Sequence, residues 1–172
     1  MTAESKDATF SHVIDVVSLD AAGLHVVLEP GESERKAIAD RLEIPSLNRL
    51  KGDFAVTPFA GGVEVRLILD AEAERQCVVS LEPMTETICE ETTMRFEKSF
   101  EEDANEDEDG SILREPLEGD VIDLGEILVQ TLSLALDPYP RKDSADAHLE
   151  KYRDAAPASP FDALKGLFGR DR

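Results

Sequence analysis

The chain has 172 residues with 38 acidic and 18 basic side chains, which give a formal net charge of −20. This length suits one domain with tails and is enough for a hydrophobic core. Non-specific binding to nucleic acid needs Lys and Arg to displace condensed counterions, so the charge disfavours strong RNA binding unless basic side chains cluster locally. The charge fits solubility alone as well as it fits attraction of a basic protein partner.

Two cysteines, Cys77 and Cys89, occur in a chain whose first ten residues lack the apolar region of a signal peptide. There is no run of about 18 apolar residues, so no membrane span is expected. We therefore expect a reducing, cytoplasmic setting in which neither cysteine forms a disulfide.

The N-terminal third predicts two strands and a helix. Residues 10–30, FSHVIDVVSLDAAGLHVVLEP, are rich in β-branched residues and predict two short strands, with Gly23 in the turn between them. Residues 32–43 predict a helix, because glutamates suit its first turn through the helix dipole and Pro45 ends it.

Residues 53–83 give the strongest β pattern in the chain. The tract FAGGVEV places Gly61 and Gly62 between two apolar runs, which predicts a hairpin. Alternation then puts one set of apolar residues on a single face: Val63, Val65, Leu67 and Leu69. A further strand is predicted after Pro83, within ETICEETTMRFEKSF.

An acidic run follows this strand. Seven of the nine residues from 101 to 109 are acidic: Glu101, Glu102, Asp103, Glu106, Asp107, Glu108 and Asp109. Like charges repel one another and gain nothing from packing, so 101–111 is predicted to be a flexible loop. The run is either an inert solvated loop or a diffuse attractor for a basic partner.

Helical periodicity returns after the acidic run. Apolar residues recur at helical spacing over 124–136, which predicts a helix laid on the sheet. Asp123 suits its N-cap, with Glu126 three residues on as in a capping box. Pro138 and Pro140 stop the helix.

Together these elements predict one α+β domain over residues 10–140. Its curved antiparallel sheet, which could be barrel-like, is packed by the 124–136 and 32–43 helices. The other predicted segments are a flexible N-terminus at 1–9, a polar linker at 141–160 and a short C-terminal apolar helix at 161–168, which docks on the domain or on a partner.

Motifs that carry chemistry are missing from the sequence. No HExxH, GxSxG, Walker or GxGxxG pattern occurs, so we expect no enzyme activity and no cofactor. Zinc sites use paired Cys-x-x-Cys or Cys/His groups, but CVVS places Ser80 where the second cysteine of a pair with Cys77 would stand. Two buried or half-buried apolar thiols are therefore favoured over a metal site.

The tripeptide LEP occurs twice, at 28–30 and 81–83. The favoured interpretation is that each proline ends a strand. The alternative is that the second copy forms a recognition edge that carries Glu82.

Three blocks occur in order: RQCVVSLEPMTETI, DVIDLGEILVQTLSLALDPYPR and SPFDALKGLF. Together they resemble the YceD family, named for large ribosomal RNA subunit accumulation, over residues 10–168. The resemblance rests on these positions: Cys77, Leu81, Glu82, Pro83, Asp123, Leu124, Glu126, Pro138, Pro140, Pro160, Phe161 and Leu164. Many members have a Cys-x-x-Cys in the first block where this chain has Cys77 and Ser80, so the resemblance does not extend to a metal role.

The resemblance implies a non-enzymatic bacterial protein needed for normal accumulation of large-subunit rRNA, with no catalytic residue among these positions. We expect its partner to be a basic large-subunit ribosomal protein or a pre-ribosomal particle. Two alternatives stay open, a metal-binding protein and a direct rRNA binder. The second would use a basic patch made by Arg35, Lys36, Arg41, Arg49 and Lys51.

Overall fold

The computed structural model describes residues 10–99 and 112–145. These residues fall into two compact units, a larger one of residues 10–75 and 85–138 and a smaller one of residues 76–84 and 139–145. The predictions for the N-terminus, the acidic loop, the linker beyond residue 145 and the C-terminal helix lie outside the described residues.

Seven strands and two helices are described. In chain order they are β1 (Val13–Asp15), β2 (Leu24–Leu28), α1 (Glu32–Arg41), β3 (Ser46–Phe59), β4 (Gly62–Gln76), β5 (Pro83–Glu97), β6 (Ile112–Pro116), β7 (Val121–Asp123) and α2 (Leu124–Ala135).

Five of these strands form one sheet in the order β2-β3-β4-β5-β6, and β1 pairs antiparallel with β7 in a second, two-stranded sheet. The α+β class and the mostly antiparallel sheet are confirmed, although β6 runs parallel to β5. Within the described residues the two edge strands, β2 and β6, are not paired with each other. The five-stranded sheet is therefore open, and the expectation of a barrel-like closure is wrong.

The predicted hairpin is confirmed. β3 and β4 pair antiparallel down to Phe59 opposite Gly62, which leaves Ala60 and Gly61 as the turn. A Cβ on Gly62 would meet the carbonyl oxygen of Phe96, so glycine lets β4 begin close to β5. The four apolar residues that alternate along β4 are fully buried, as predicted: Val63, Val65, Leu67 and Leu69.

Helix α2 covers the core face of this sheet. Leu124, Leu128 and Leu132 are completely buried. Gly52 of β3 lies so close that an added Cβ would come within 2.7 Å of the Leu128 side chain. The helical stripe predicted from periodicity is therefore the face that packs on the sheet.

Helix α1 is two residues shorter than predicted. It ends at Arg41, and Glu43 then takes a left-handed backbone conformation (φ 55°) before Pro45. At its start, the Gly31 N–H donates to the Glu34 carboxylate over 2.6 Å, which supports the predicted N-terminus.

The two prolines of the LEP tripeptides play different roles. Pro30 lies two residues beyond the end of β2, as predicted. Pro83 instead begins β5, so the prediction that it ends a strand is wrong. The first position of a strand suits proline, because its missing N–H costs little there.

Candidate functional site

The first sequence block forms a tight turn in the smaller unit. The Cys77 N–H donates to the Glu82 carbonyl and the Leu81 N–H donates to the Cys77 carbonyl, both over 2.9 Å. The Gln76 side-chain amide donates to the Leu81 carbonyl over 3.0 Å. These three bonds, two of them between backbone groups, close residues 76–82 into a loop.

Leu81 holds an unfavourable backbone conformation at the tip of this turn. Its φ is +59°, and the left-handed region costs a residue with a Cβ about 1–2 kcal/mol. Its side chain is 66% exposed, so burial against the described residues does not offset the cost. Strain held by surrounding bonds is characteristic of functional positions.

Two further apolar side chains of the smaller unit are exposed. Val78 is 44% exposed and Tyr139 is 70% exposed. With Leu81 they form what we call the apolar turn surface, defined as Val78, Leu81 and Tyr139. Apolar side chains that are exposed within one small unit are candidates for contact with other molecules.

The Cys77 thiol lies beneath this turn. It is fully buried and accepts the Ser80 N–H over 3.4 Å. Hydrogen bonds from the Ser80 side chain, then from the backbones of Ser80, Lys142 and Val79, lower the pKa of this thiol to about 6 against the opposing effect of burial. The sulfur therefore accepts hydrogen bonds within the turn, and its burial withholds it from reagents.

The second block contributes to the same unit. The Val78 N–H donates to the Pro140 carbonyl over 2.9 Å, and Lys142 Nζ lies 3.0 Å from Glu82 Oε2. The structure thus brings together Cys77, Leu81, Glu82 and Pro140 from the predicted positions. Pro83 lies in the same unit as the first residue of β5, whereas Pro138 is exposed in the larger unit.

Asp123 caps α2, as predicted. Its Oδ1 accepts the N–H groups of Gly125 (2.9 Å), Glu126 (3.2 Å) and His12 (2.8 Å), and its Oδ2 accepts the Ser11 hydroxyl (2.5 Å). Burial raises the pKa of this carboxyl, but these donors outweigh burial and hold the pKa below its usual range. Asp123 therefore fastens the chain before β1 to the start of α2.

The Glu126 side chain connects α2 to α1. Both of its carboxylate oxygens accept from the Arg41 guanidinium, over 2.7 and 2.5 Å. This bidentate pair lowers the pKa of Glu126 and joins the end of α1 to the first turn of α2. Since Leu124 is fully buried beside it, Asp123, Leu124 and Glu126 act in folding.

Four of the five cations in the patch expected of a direct rRNA binder are paired with carboxylates. Lys36 pairs with Asp40, Arg41 with Glu126, Arg49 with Asp70 and Lys51 with Glu29, and Arg35 donates to the Pro30 carbonyl. In the described part of the chain, ten of the twelve Lys and Arg side chains lie in an ion pair with a carboxylate. Within the described residues, Arg35 is the one cation of the expected patch that has no carboxylate partner.

Two other kinds of site are absent from the described residues. Within 10–99 and 112–145, no three His, Cys, Asp or Glu side chains are grouped to hold a metal ion. No helix in the same residues combines the length and apolar character needed to cross a membrane. The positions of Pro160, Phe161, Leu164 and the acidic run lie outside the described residues.

Sequence reasoning missed Val78, Tyr139 and Lys142. Val78 lies inside CVVS, where the spacing of metal ligands draws attention only to Cys77 and Ser80. Tyr139 and Lys142 lie about sixty residues further along the chain, in a polar stretch that gave no sign of its neighbours. Nothing in CVVS signals that Val78 is exposed, because Val79 beside it is equally apolar.

The fold and the site define an α+β protein with an open sheet and a small turn unit that presents apolar side chains. The family model for the large ribosomal RNA subunit accumulation protein YceD matches residues 65–168, more than half of the chain. This chain belongs to the YceD family. The match includes the 76–84 turn and α2, but it begins within β4 rather than at residue 10. Searches of curated proteins and of solved structures gave no match.

Proposed function

We propose that this chain is a non-enzymatic ribosome-biogenesis factor that supports accumulation of large-subunit rRNA by binding a basic large-subunit ribosomal protein. The family's name supports the link to large-subunit rRNA. The observation that carries the choice of partner is the pairing of the chain's own cations with carboxylates, on a chain of net charge −20.

This pairing disfavours phosphate more than it disfavours a basic protein. A surface ion pair contributes only about 0–1 kcal/mol, so a phosphate could displace a carboxylate from an arginine. The displaced carboxylate would stay close to the phosphate, and like charges about 4 Å apart repel by about 1 kcal/mol even in water. A Lys or Arg of a partner would instead gain from the same carboxylates.

We place the partner's main contact at the apolar turn surface. Burial of apolar area contributes about 25 cal/mol per Å², which supplies affinity. Glu82 and Asp143, exposed in the same unit, would attract a cationic partner and speed its approach. The Leu81 side chain would then gain in the complex the burial that it lacks in the free chain.

The test is capture of large-subunit proteins, released from purified large ribosomal subunits, by the immobilised full chain. We expect basic large-subunit proteins to be retained at low salt and released as salt increases. Replacement of Leu81 by glutamine should reduce capture several-fold. Leu134→Gln is the matched control, because Leu134 is 84% exposed on α2, outside the apolar turn surface.

Two results would contradict the proposal. The first is failure to retain any large-subunit protein at low salt. The second is tight binding of protein-free large-subunit rRNA by the purified chain in physiological buffer.

A further inference from the structure

β3 is longer than its neighbour β2 and leaves part of one edge without a strand. β2 pairs with β3 only from Gly52 to Val56, whereas β3 pairs with β4 from Ser46 onward. Residues 46–51 of β3 therefore have a strand on one side only.

The backbone groups on the other side of this stretch have no protein partner in the described residues. The turn and loop hydrogen bonds described for the chain do not involve residues 46–51. An extended strand directs about half of its N–H and C=O groups to each side. Unpaired strand edges are templates for the addition of another extended chain.

An open cleft of about 880 Å³ lies between α1 and the start of β3. Ala39 and Leu47 are its buried apolar wall, and Ser33 and Ser46 are small residues at its rim. A helix beside a strand edge, with an apolar wall and small rim side chains, fits an extended peptide.

We propose that this cleft binds an extended segment of a cationic partner protein, which adds as a strand to β3 along residues 46–51. The basic character of the partner rests on the proposed function, whereas the strand addition rests on the edge itself.

The charges around the cleft favour a cationic segment. The two cations on its α1 wall are already engaged, Lys36 by Asp40 over 2.9 Å and Arg35 by the Pro30 carbonyl over 2.8 Å. At the other wall, Asn48 donates to Glu72 and to Glu74, each over 3.3 Å.

Glu72 and Glu74 lie on β4 beside the start of β3. Arg49 lies opposite Glu72 but pairs with Asp70. Within the described residues neither Glu72 nor Glu74 is in an ion pair, so a lysine from an added strand could approach them without displacing a cation. The cleft would therefore prefer Lys-rich over Glu-rich segments.

A β-bulge at Asn48 offers a competing explanation. The register of β3 against β4 shifts between Leu47 and Arg49. Bulges and covering helices also protect sheet edges from unwanted pairing. In that case no extended chain would pair with residues 46–51, and their backbone amides would not respond to an added peptide.

The probe is a synthetic ten-residue peptide of alternating lysine and valine, titrated into the isotope-labelled full chain. We expect the backbone amides of residues 46–51 to shift and to gain protection from hydrogen exchange. A peptide N-methylated at every second residue, with the methyl groups on the edge that would face β3, should lose at least tenfold in affinity. A peptide methylated at the alternate residues, with the methyl groups on the edge that faces away from β3, should bind nearly as well as the unmethylated peptide.

Ser33→Trp should fill the cleft and reduce binding at least tenfold, while Ser33→Ala should bind like the parent chain. Ser33 is exposed, so both variants should fold. Unchanged amides at millimolar peptide, equal binding of both N-methylated peptides, or a glutamate–valine peptide that binds as well would overturn the proposal. Amide protection that depends on the concentration of the chain itself would also overturn it, because the occupant would be a second copy.

These outcomes separate the two proposals. If Ser33→Trp loses the peptide but wild-type chain retains no ribosomal protein, the proposed function fails and the strand-addition site stands. If ribosomal proteins are retained and the peptide shifts no amide in 46–51, only the cleft is wrong.

Discussion

Arg75 and Glu86 face each other across β4 and β5, with Nη1 2.9 Å from Oε2, and their side chains are only 13% and 15% exposed. The same two groups hold the chain beyond α2. Arg75 Nη2 donates to the Asp137 carbonyl and the Asp137 N–H donates to Glu86, both over 2.9 Å. One ion pair therefore fastens two strands to the segment that leaves the helix.

Removal of Arg75 or Glu86 should lower the stability of the fold. We expect Arg75→Gln or Glu86→Gln to lower the free energy of unfolding by about 3 kcal/mol, because a largely buried charge would be left without its partner. Urea denaturation measures the loss. The control is Arg66→Gln, whose pair with Glu91 is 56% exposed on both sides and should cost less than about 1 kcal/mol. Equal losses in the two pairs would show that burial does not decide their strength.

Asp123 should make the folding stability of the chain depend on pH. Because its pKa is held below the usual range in the folded chain, its contribution is fully present above the unfolded pKa. The contribution is lost as the pH falls through the lower, folded value. Asp123→Ala should cost about 1–2 kcal/mol near neutral pH through loss of the cap. Asp123→Asn keeps a capping oxygen but cannot titrate.

The comparison is made by unfolding each Asp123 variant across acidic pH. The parent chain should lose more stability on acidification than Asp123→Asn does. Parallel curves for the two proteins would mean that the cap charge contributes nothing.

Strong periodicity made the hairpin and α2 predictable. Apolar residues alternate from Val63 to Leu69 and repeat at helical spacing from Leu124 to Leu132. The local pattern was therefore enough to predict which face of each element is buried. The N-cap at Asp123 was equally local. Such features need no knowledge of what lies opposite them.

Short strands that pair with distant segments could not be predicted from the sequence. β1 and β7 are both the tripeptide Val-Ile-Asp, yet more than a hundred residues separate them, and β7 was not predicted. β6 has five residues and pairs parallel with β5, an arrangement that no pattern in its own sequence could reveal. Pairing supplies the stability that such short strands lack alone.

The candidate site was only half predictable for the same reason. The family resemblance indicated Cys77, Leu81 and Glu82, but it could not show that Leu81 would be exposed in a left-handed conformation. Nor could it show Lys142 beside Glu82, since the two residues are sixty positions apart. Backbone conformation and distant ion pairs are decided by the folded chain.

Leu81 should show a conflict between stability and binding. Leu81→Gly removes the Cβ penalty at φ +59° and should stabilise the turn by up to about 1 kcal/mol, although glycine also loses more entropy on folding. The same variant should capture less ribosomal protein, because the apolar side chain is gone. Leu81→Gln separates the effects, since it keeps the Cβ and loses only the apolar surface.

The matched backbone control for Leu81 is Gly119→Ala. Gly119 has φ +80°, and an added Cβ meets nothing within 4 Å, so strain alone should cost about 1–2 kcal/mol. Thermal unfolding of the three variants gives the comparison. Stronger capture by Leu81→Gly than by the parent would place the contact elsewhere.

The Cys77 thiol should titrate well below an ordinary cysteine. In a Cys89→Ala background Cys77 is the only thiol, because the chain has two cysteines. Its ultraviolet thiolate absorbance should then develop with a midpoint near pH 6, since hydrogen bonds led by Ser80 lower the pKa to about 6. Alkylation of the folded chain should still be slow, because the thiol is fully buried. In the parent chain, exposed Cys89 should react first.

The same shift links the stability of the turn to pH. A thiol with a depressed folded pKa contributes stability that is complete above its unfolded value near 9 and is lost as the pH falls toward 6. Amide exchange of residues 76–82 should therefore be slower at pH 8 than at pH 6 once the intrinsic dependence of exchange on pH is removed. Ser80→Ala should raise the midpoint, because it removes the strongest hydrogen bond to the sulfur. A midpoint near 9 in the parent chain would mean that the turn does not stabilise a thiolate.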